Sequence, residues 1–414
     1  MRARDAGKAS GSKRRLIGTA AVWAVAAELA AIYVLSTLPT PLYSRYREEF
    51  GFSQIVLTVA YAVYVVGSLT TMFFLGRLSD QIGRRPVVFA SLAFAVASAV
   101  VFLVASSTLS LLVARVLSGL AVALSSGAST AWIVEHASGD EARATRIAIG
   151  ANLAGLGVGP ILSGFVAQYG PAPLRTPYWI FLIVLLASTA AVWISDETLR
   201  QRQPLRNASL RPRLGIPREI RSRFVSPAVG AFATFSLLGF YSALLPTVLQ
   251  HAIHNANLAV AGAIVGGLFL VGVATLLATP ELEPRPGMLW GLVLLIPSVV
   301  LLVASEASHS LALLLAGTAI AGVACALGYR CGLQLVNELS PDDQRSEVVS
   351  SYLIVCYAAV SLPVVGVGMV SEIAGSMIAD TILACIVATL AIAALAFELR
   401  VSRRHTSDRL ANAT

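Results

Sequence analysis

The stretch Gly76-Arg77-Leu78-Ser79-Asp80-Gln81-Ile82-Gly83-Arg84-Arg85-Pro86 lies between two long apolar runs, 53–76 and 86–106. Neither run contains a charged residue. Each is long enough to cross a hydrocarbon core of ~30 Å as a helix rising ~1.5 Å per residue. The eleven residues between them therefore read as a short turn joining two membrane helices. Gly76 and Gly83 permit tight backbone turns and close helix approach. Asp80 ends one helix and can face an arginine or a neighbouring helix N-terminus. Arg84 and Arg85 anchor the next helix at the membrane face. A charge cluster at such a seam can hold one conformation and release in another.

Reading outward from this turn gives apolar spans at about 18–41, 53–76, 86–106, 109–134, 147–169, 177–195, 225–250, 258–279, 287–304, 310–336, 347–371 and 377–397. The composition agrees. Hydrophobic residues make up 57% of 414 residues, or roughly 236, against the ~240 that twelve helices of ~20 residues would use. Charged residues are 13%, about half the share of a soluble domain, and mean hydropathy is +0.77. A soluble domain, a disordered chain and a collagen-like chain are all excluded. The runs are continuous rather than alternating, which excludes a β-barrel. The expected fold class is an all-α membrane protein of twelve transmembrane helices.

The net charge of +8 is arginine charge, because only two of the 30 basic residues are lysine. In a membrane chain the excess belongs in cytoplasmic loops, not on a nucleic-acid surface. With the N-terminus cytoplasmic, the outer loops hold only Arg45, Arg47 and Arg175, and Arg115 and Arg330 fall within spans. The other 25 basic residues are then cytoplasmic. Both termini are accordingly expected inside a cell membrane, a bacterial plasma membrane by this reading. The organisation is a basic tail (1–17, with Arg2, Arg4, Lys8, Lys13, Arg14 and Arg15), a six-helix bundle (18–195), a cytoplasmic linker (196–224), a second six-helix bundle (225–397) and a tail (398–414). The linker carries eight arginines and reads as a solvated tether touching lipid headgroups.

The halves align at a gapless offset of 203. Gly119 meets Gly322, Glu135 meets Glu338, Asp140 meets Asp343 and Pro160 meets Pro363. Charged residues and proline are rare in spans, so these matches carry weight. A parallel 6 + 6 repeat is the signature of a transporter architecture whose halves rock about a midplane site.

Gly76–Pro86 resembles the signature loop of the major facilitator superfamily. Arg115 and Gly119 in span four resemble that family's fourth-helix motif, whose arginine is tied to proton transfer. Gly155, Gly159, Pro160, Ser163 and Gly164 resemble the fifth-helix motif of its twelve-span drug/proton antiporters. The match departs at Ser163 and at Arg146, where the motif has glycine. Glu135 with Arg143, and Glu338 with Arg345, resemble paired latches that would engage Asp80 or its surroundings in one state. The second half has no copy of the signature loop, so any latch is asymmetric.

Glu28 is the one acid read at mid-span, about 15 Å from the cytoplasmic side. An ionised carboxylate there is costly, and a proton and a cationic substrate could compete for it. Arg115 is a candidate partner, though nearer the outer side. The resemblance supports a proton-coupling role for both. Tyr33, Ser36, Asn152, Phe235, Phe240 and Tyr241 are the candidate cavity residues, since aromatic rings stack on flat or cationic compounds. Cys325, Cys331, Cys356 and Cys385 read as small buried hydrophobes. No Walker loop and no nucleophile–base set is present, so neither ATP drive nor an enzyme is expected, and no cofactor or metal. The expected partners are a small-molecule substrate, protons and membrane lipids, with the chain monomeric. Proton-driven efflux of amphipathic compounds is the leading expectation. An uptake carrier for sugars or metabolites is the alternative, disfavoured by the scarcity of Asn and Gln in the spans.

Overall fold

A lipid core offers backbone groups no hydrogen-bond partners, so a spanning segment satisfies them internally as a helix. The computed structural model describes residues 18–411 apart from 138, 200–202, 208–213 and 342–343. The N-terminal basic residues, part of the linker and Asp343 thus lie outside the described residues. Among the described residues, twelve helices are long and apolar enough to cross a membrane. They are α1 (Thr19–Thr37), α2 (Gln54–Leu75), α3 (Arg84–Leu103), α4 (Thr108–His136), α5 (Glu141–Tyr169), α6 (Thr176–Ile194), α7 (Arg221–His251), α8 (Leu258–Ala278), α9 (Pro284–Ala307), α10 (Leu311–Leu339), α11 (Arg345–Ala374) and α12 (Ser376–Ala411).

The differences from the expected spans have local causes. The first span ends at Thr37; Pro39 and Pro41 interrupt it, a single turn follows at Thr40–Leu42, and the polar helix Tyr43–Phe50 ends at Gly51, whose φ of 67° glycine accommodates freely. At α5 and α12 the helix continues through polar residues beyond the apolar run, to Glu141 and Ala411. Hydropathy reports the bilayer, not the helix end. Side-chain caps start several helices: Ser53 accepts from the Val56 N–H, Ser107 forms a reciprocal pair with Ser110, and Asn257 accepts from Ala259 and Val260.

The first half packs α3 on α4, α2 on α4 and α1 on α4, α5 and α6; the second packs α9 on α10, α8 on α10 and α7 on α11 and α12. The outer surface is apolar, with Trp23, Trp179, Ile183, Leu186 and Trp290 all exposed. Inside, small residues and serines let backbones meet: Ser91 donates to the Ala121 carbonyl and Ser98 to that of Ala114, both at 2.8 Å.

The halves meet along α5–α8 and α2–α11. Because twelve crossings return the chain to its starting side, the molecule has a linker end, with both described termini, and an opposite loop end. Contacts between the halves concentrate toward the loop end. A Cβ at Gly262 would overlap the Pro160 carbonyl oxygen, one at Gly164 the Leu258 carbonyl oxygen, and one at Gly368 the Thr58 hydroxyl. Glu372 of α11 accepts from the Ile55 N–H of α2 at 3.0 Å. Toward the linker end Gly150 of α5 has only the tip of Leu276 near it, at 4.0 Å from a Cβ position.

Candidate functional site

The halves enclose a central cavity with an empty volume of about 920 Å³. Its wall includes Tyr33, Ser36 and Thr37 of α1, Tyr61 and Tyr64 of α2, Arg115 and Ser126 of α4, and Asn152, Leu153 and Leu156 of α5. The second half adds Phe235, Leu238 and Ser242 of α7, Phe269 of α8, Tyr329 of α10, and Leu353, Cys356, Tyr357 and Val360 of α11. A second pocket shares Ser126, Leu353 and Tyr357 with it and continues toward the linker end past Met72, Gly76, Arg77 and Asp80. The cavity is thus sealed at the loop end and continued by a pocket toward the linker end.

Tyr33, Ser36, Asn152 and Phe235 stand where the sequence suggested. Phe240 and Tyr241 do not. The cavity face of α7 is Phe235, Leu238 and Ser242, spaced i, i+3, i+7; at 100° per residue 240 and 241 fall on other faces. Both are fully buried within the second half, and Tyr241 accepts a hydrogen bond from Thr318 at 3.3 Å. Sequence reasoning passed over Tyr61, Tyr64, Tyr329 and Tyr357. The i, i+3 spacing of Tyr61 and Tyr64 on one face of an apolar span was the available signal.

Arg115 is 1% exposed. Its Nη1 donates to the Ser36 carbonyl at 2.8 Å and its Nη2 to that of Tyr61 at 3.4 Å. Its guanidinium lies 4.8 Å from the ring centre of Tyr64 and 5.6 Å from that of Tyr61. Its Nε has no hydrogen-bond partner.

Glu28 is fully buried in the α1–α4 seam, accepting from the Ser125 hydroxyl at 3.0 Å and from Ser129 at 2.6 Å. It is not part of the cavity wall. Arg115 is not its partner: ten residues separate Arg115 from Ser125 on α4, about 15 Å along the axis. Ser126, beside Ser125 in the chain, accepts from the Tyr33 hydroxyl at 3.1 Å and does line the cavity. Glu28 is also not the only buried acid. Glu306 of α9 and Asp380 of α12 are 4% and 3% exposed and lie close to each other near the loop end. Both residues sit at span ends, and nothing in a linear sequence pairs them.

The signature loop builds a charge cluster at the linker end. Gly83, at φ 112°, turns the chain between the short helix Leu78–Ile82 and α3. Gly76 stays helical and needs no such freedom. Arg84 pairs with Asp80, and its Nε and Nη2 reach Glu135 of α4 at 3.1 and 2.7 Å. Glu135 therefore engages Arg84, and the exposed Arg143 stays outside this pairing; the Arg143 N–H donates to the Asp140 cap. Glu338 and Arg345 are exposed on the second half. The start of the linker is not a free tether. Glu197 accepts from the Arg84 and Arg85 N–H groups at 3.1 and 3.0 Å, Thr198 donates to Glu135, and the Gln203 N–H donates to the Gln81 carbonyl. Arg85 donates to the Trp193 carbonyl and lies over that ring. The second half uses a different device: Arg330 donates to the Thr279 and Pro280 carbonyls at the C-terminus of α8, where a cation complements the helix dipole.

On α5 the motif glycines serve two seams. A Cβ at Gly159 would lie 2.5 Å from the Thr37 hydroxyl and 2.7 Å from the Val34 carbonyl oxygen, and Gly155 abuts the Ala30 carbonyl, so both face α1. Gly164 and the Pro160 carbonyl face α8.

The sequence profile of the Major Facilitator Superfamily matches residues 26–283. A 51-residue stretch is 47% identical to the multidrug resistance protein MdtL of Shewanella oneidensis, covering 12% of this chain and 13% of that protein. A 57-residue stretch is 37% identical to MdtL of Klebsiella pneumoniae, covering 14% of each. Among solved structures, a human organic anion transporter superposes with a TM-score of 0.66 at 17% identity, covering 91% of this chain and 99% of that one. A bacterial homologue of the human lysosomal transporter Spinster, in an inward-facing and unoccupied conformation, gives 0.64 at 15% identity, covering 96% and 99%. These likenesses show the fold.

Proposed function

The chain belongs to the major facilitator superfamily, and on that premise we propose that it exports small amphipathic compounds by alternating access, driven by exchange for protons. The observation that carries the reading is the central cavity. Seven aromatic side chains line it, Tyr33, Tyr61, Tyr64, Phe235, Phe269, Tyr329 and Tyr357, and its wall holds few amide groups of the kind that bind sugars. The short matches to multidrug resistance proteins support the same direction. With the arginine-rich linker placed in the cytoplasm, the cavity is continued toward the inside and closed outside, a state ready to load cellular substrate.

Glu28 is the proposed proton carrier. Its two serine partners hold it in a buried seam, and Ser126–Tyr33 links that seam to the cavity. Protonation would change the α1–α4 contact rather than compete directly with substrate. The test is Glu28→Gln in proteoliposomes with an imposed pH gradient. The variant is expected to insert and bind substrate, and to lose pH-driven transport. Wild-type pH-driven transport by Glu28→Gln would remove Glu28 from the mechanism.

A further inference from the structure

The cavity carries an unbalanced charge. Among the described residues in its wall, Arg115 is the one ionised side chain, and no carboxylate joins it. Glu28 is held away by its serines, and Glu306 and Asp380 lie outside the cavity wall. Arg115 makes two bonds, both to neutral carbonyls, and keeps an unpartnered Nε in a site 1% exposed. A buried cation without a counter-ion is unfavourable, and an anion placed beside it relieves that cost. The surrounding polar groups fit an anion too. Tyr61, Tyr64 and Asn152 can all donate. The rest of the wall, notably Phe235, Phe269 and Tyr329, is aromatic and offers ring faces and edges to an apolar body.

From this we infer that the cavity selects aromatic amphiphiles carrying a carboxylate or sulfonate, with the anionic head near Arg115 and the Tyr61–Tyr64 pair. The inference rests on reading the central cavity as the substrate site. It narrows the amphipathic class and excludes the cationic substrates that an acidic cavity would favour. An inorganic anion would satisfy Arg115 but leave the aromatic wall empty, so chloride serves as the control.

The experiment measures binding to the purified full-length protein by calorimetry, using three probes with one ring system: 2-naphthalenesulfonate, 2-naphthol and (2-naphthylmethyl)trimethylammonium, in chloride-containing and chloride-free buffer. The sulfonate is expected to bind at least about tenfold more tightly than the ammonium compound, with little effect of chloride. Arg115→Gln should erase that preference and Arg115→Lys retain it. Because Arg115 also ties α4 to α1, a second variant leaves it untouched: Asn152→Asp puts a carboxylate on the wall and should weaken sulfonate binding about tenfold or more while sparing naphthol. Equal or tighter binding of the ammonium probe to the wild type overturns the inference, as does absence of binding by all three. So does an unchanged preference in folded Arg115→Gln or Asn152→Asp protein. Proton-driven export of the ammonium compound would sink this inference and leave the efflux reading standing. Sulfonate preference without proton-driven export would do the reverse.

Discussion

Replacing Gly262 with alanine should change which way the protein faces. The Cβ would overlap the Pro160 carbonyl oxygen and approach the Gly164 Cα at 3.2 Å. Ordinary carbon contacts lie at about 3.5–4.0 Å, so α5 and α8 must move apart, and neither neighbour is a flexible side chain that can swing away. Overpacking of this kind costs about 1–3 kcal/mol. The contact runs between the two halves at the loop end, so the cost falls only on the state in which that end is closed. A bias of this size shifts a two-state population by roughly 5- to 150-fold. Gly159→Ala is the control. Its Cβ would meet Thr37 and Val34 within the first half, where the seam persists in both states. It should lower thermal stability by a similar energy and leave the populations alone. Alanine at 159 is therefore not a mild change. The assay is the distance distribution between spin labels at Pro171 and Asn255, on loop-end connections of opposite halves. Gly262→Ala should add a longer population that the control lacks. Wild-type distances with wild-type stability in Gly262→Ala would refute the reasoning.

Asp80→Asn removes the charge partner of Arg84 while Glu135 remains, so transport should slow several-fold without loss of folded protein; unchanged turnover in proteoliposomes would count against a latch at this loop. Gly83→Ala is expected to cost about 1–3 kcal/mol, because φ near 112° strains any residue with a Cβ, and that atom would lie 2.7 Å from Glu197 Oε2. Its melting temperature should fall further than that of Asp80→Asn, and an equal fall in both would place the linker contact elsewhere.

The twelve spans were legible because a bilayer imposes a length and an apolarity that few other structures share. The signature loop was legible as a charge cluster, but that Glu135 pairs with Arg84 and not with Arg143 was not. What the sequence hid was rotation and partnership. An apolar span such as α7 shows no phase that separates Phe235 from Phe240 and Tyr241, since lipid-facing, core-facing and cavity-facing residues are alike apolar. Glu306 and Asp380 belong to helices distant in sequence and sit at span ends, where acids are ordinary. Glu197 reads as one more polar linker residue until the turn at Gly83 presents two N–H groups to it. Arg115 was legible as unusual, but its lack of a counter-ion depends on where every acid lies in space.

The clasp between Glu197, Thr198, Gln203 and the signature loop bears on how the chain is made. A ribosome delivers the loop after two spans, yet the groups that close around Arg84 and Arg85 arrive only after α6 has been inserted. Until then two buried-edge N–H groups and the Glu135 carboxylate lack part of their final shell, and the early bundle is incomplete at that end. The structural boundary of the first half thus lies beyond the membrane, at about residue 203, not at the last apolar residue of α6. A first half produced on its own and mixed with the second would need those eight extra residues, 196–203, to recover its native closure.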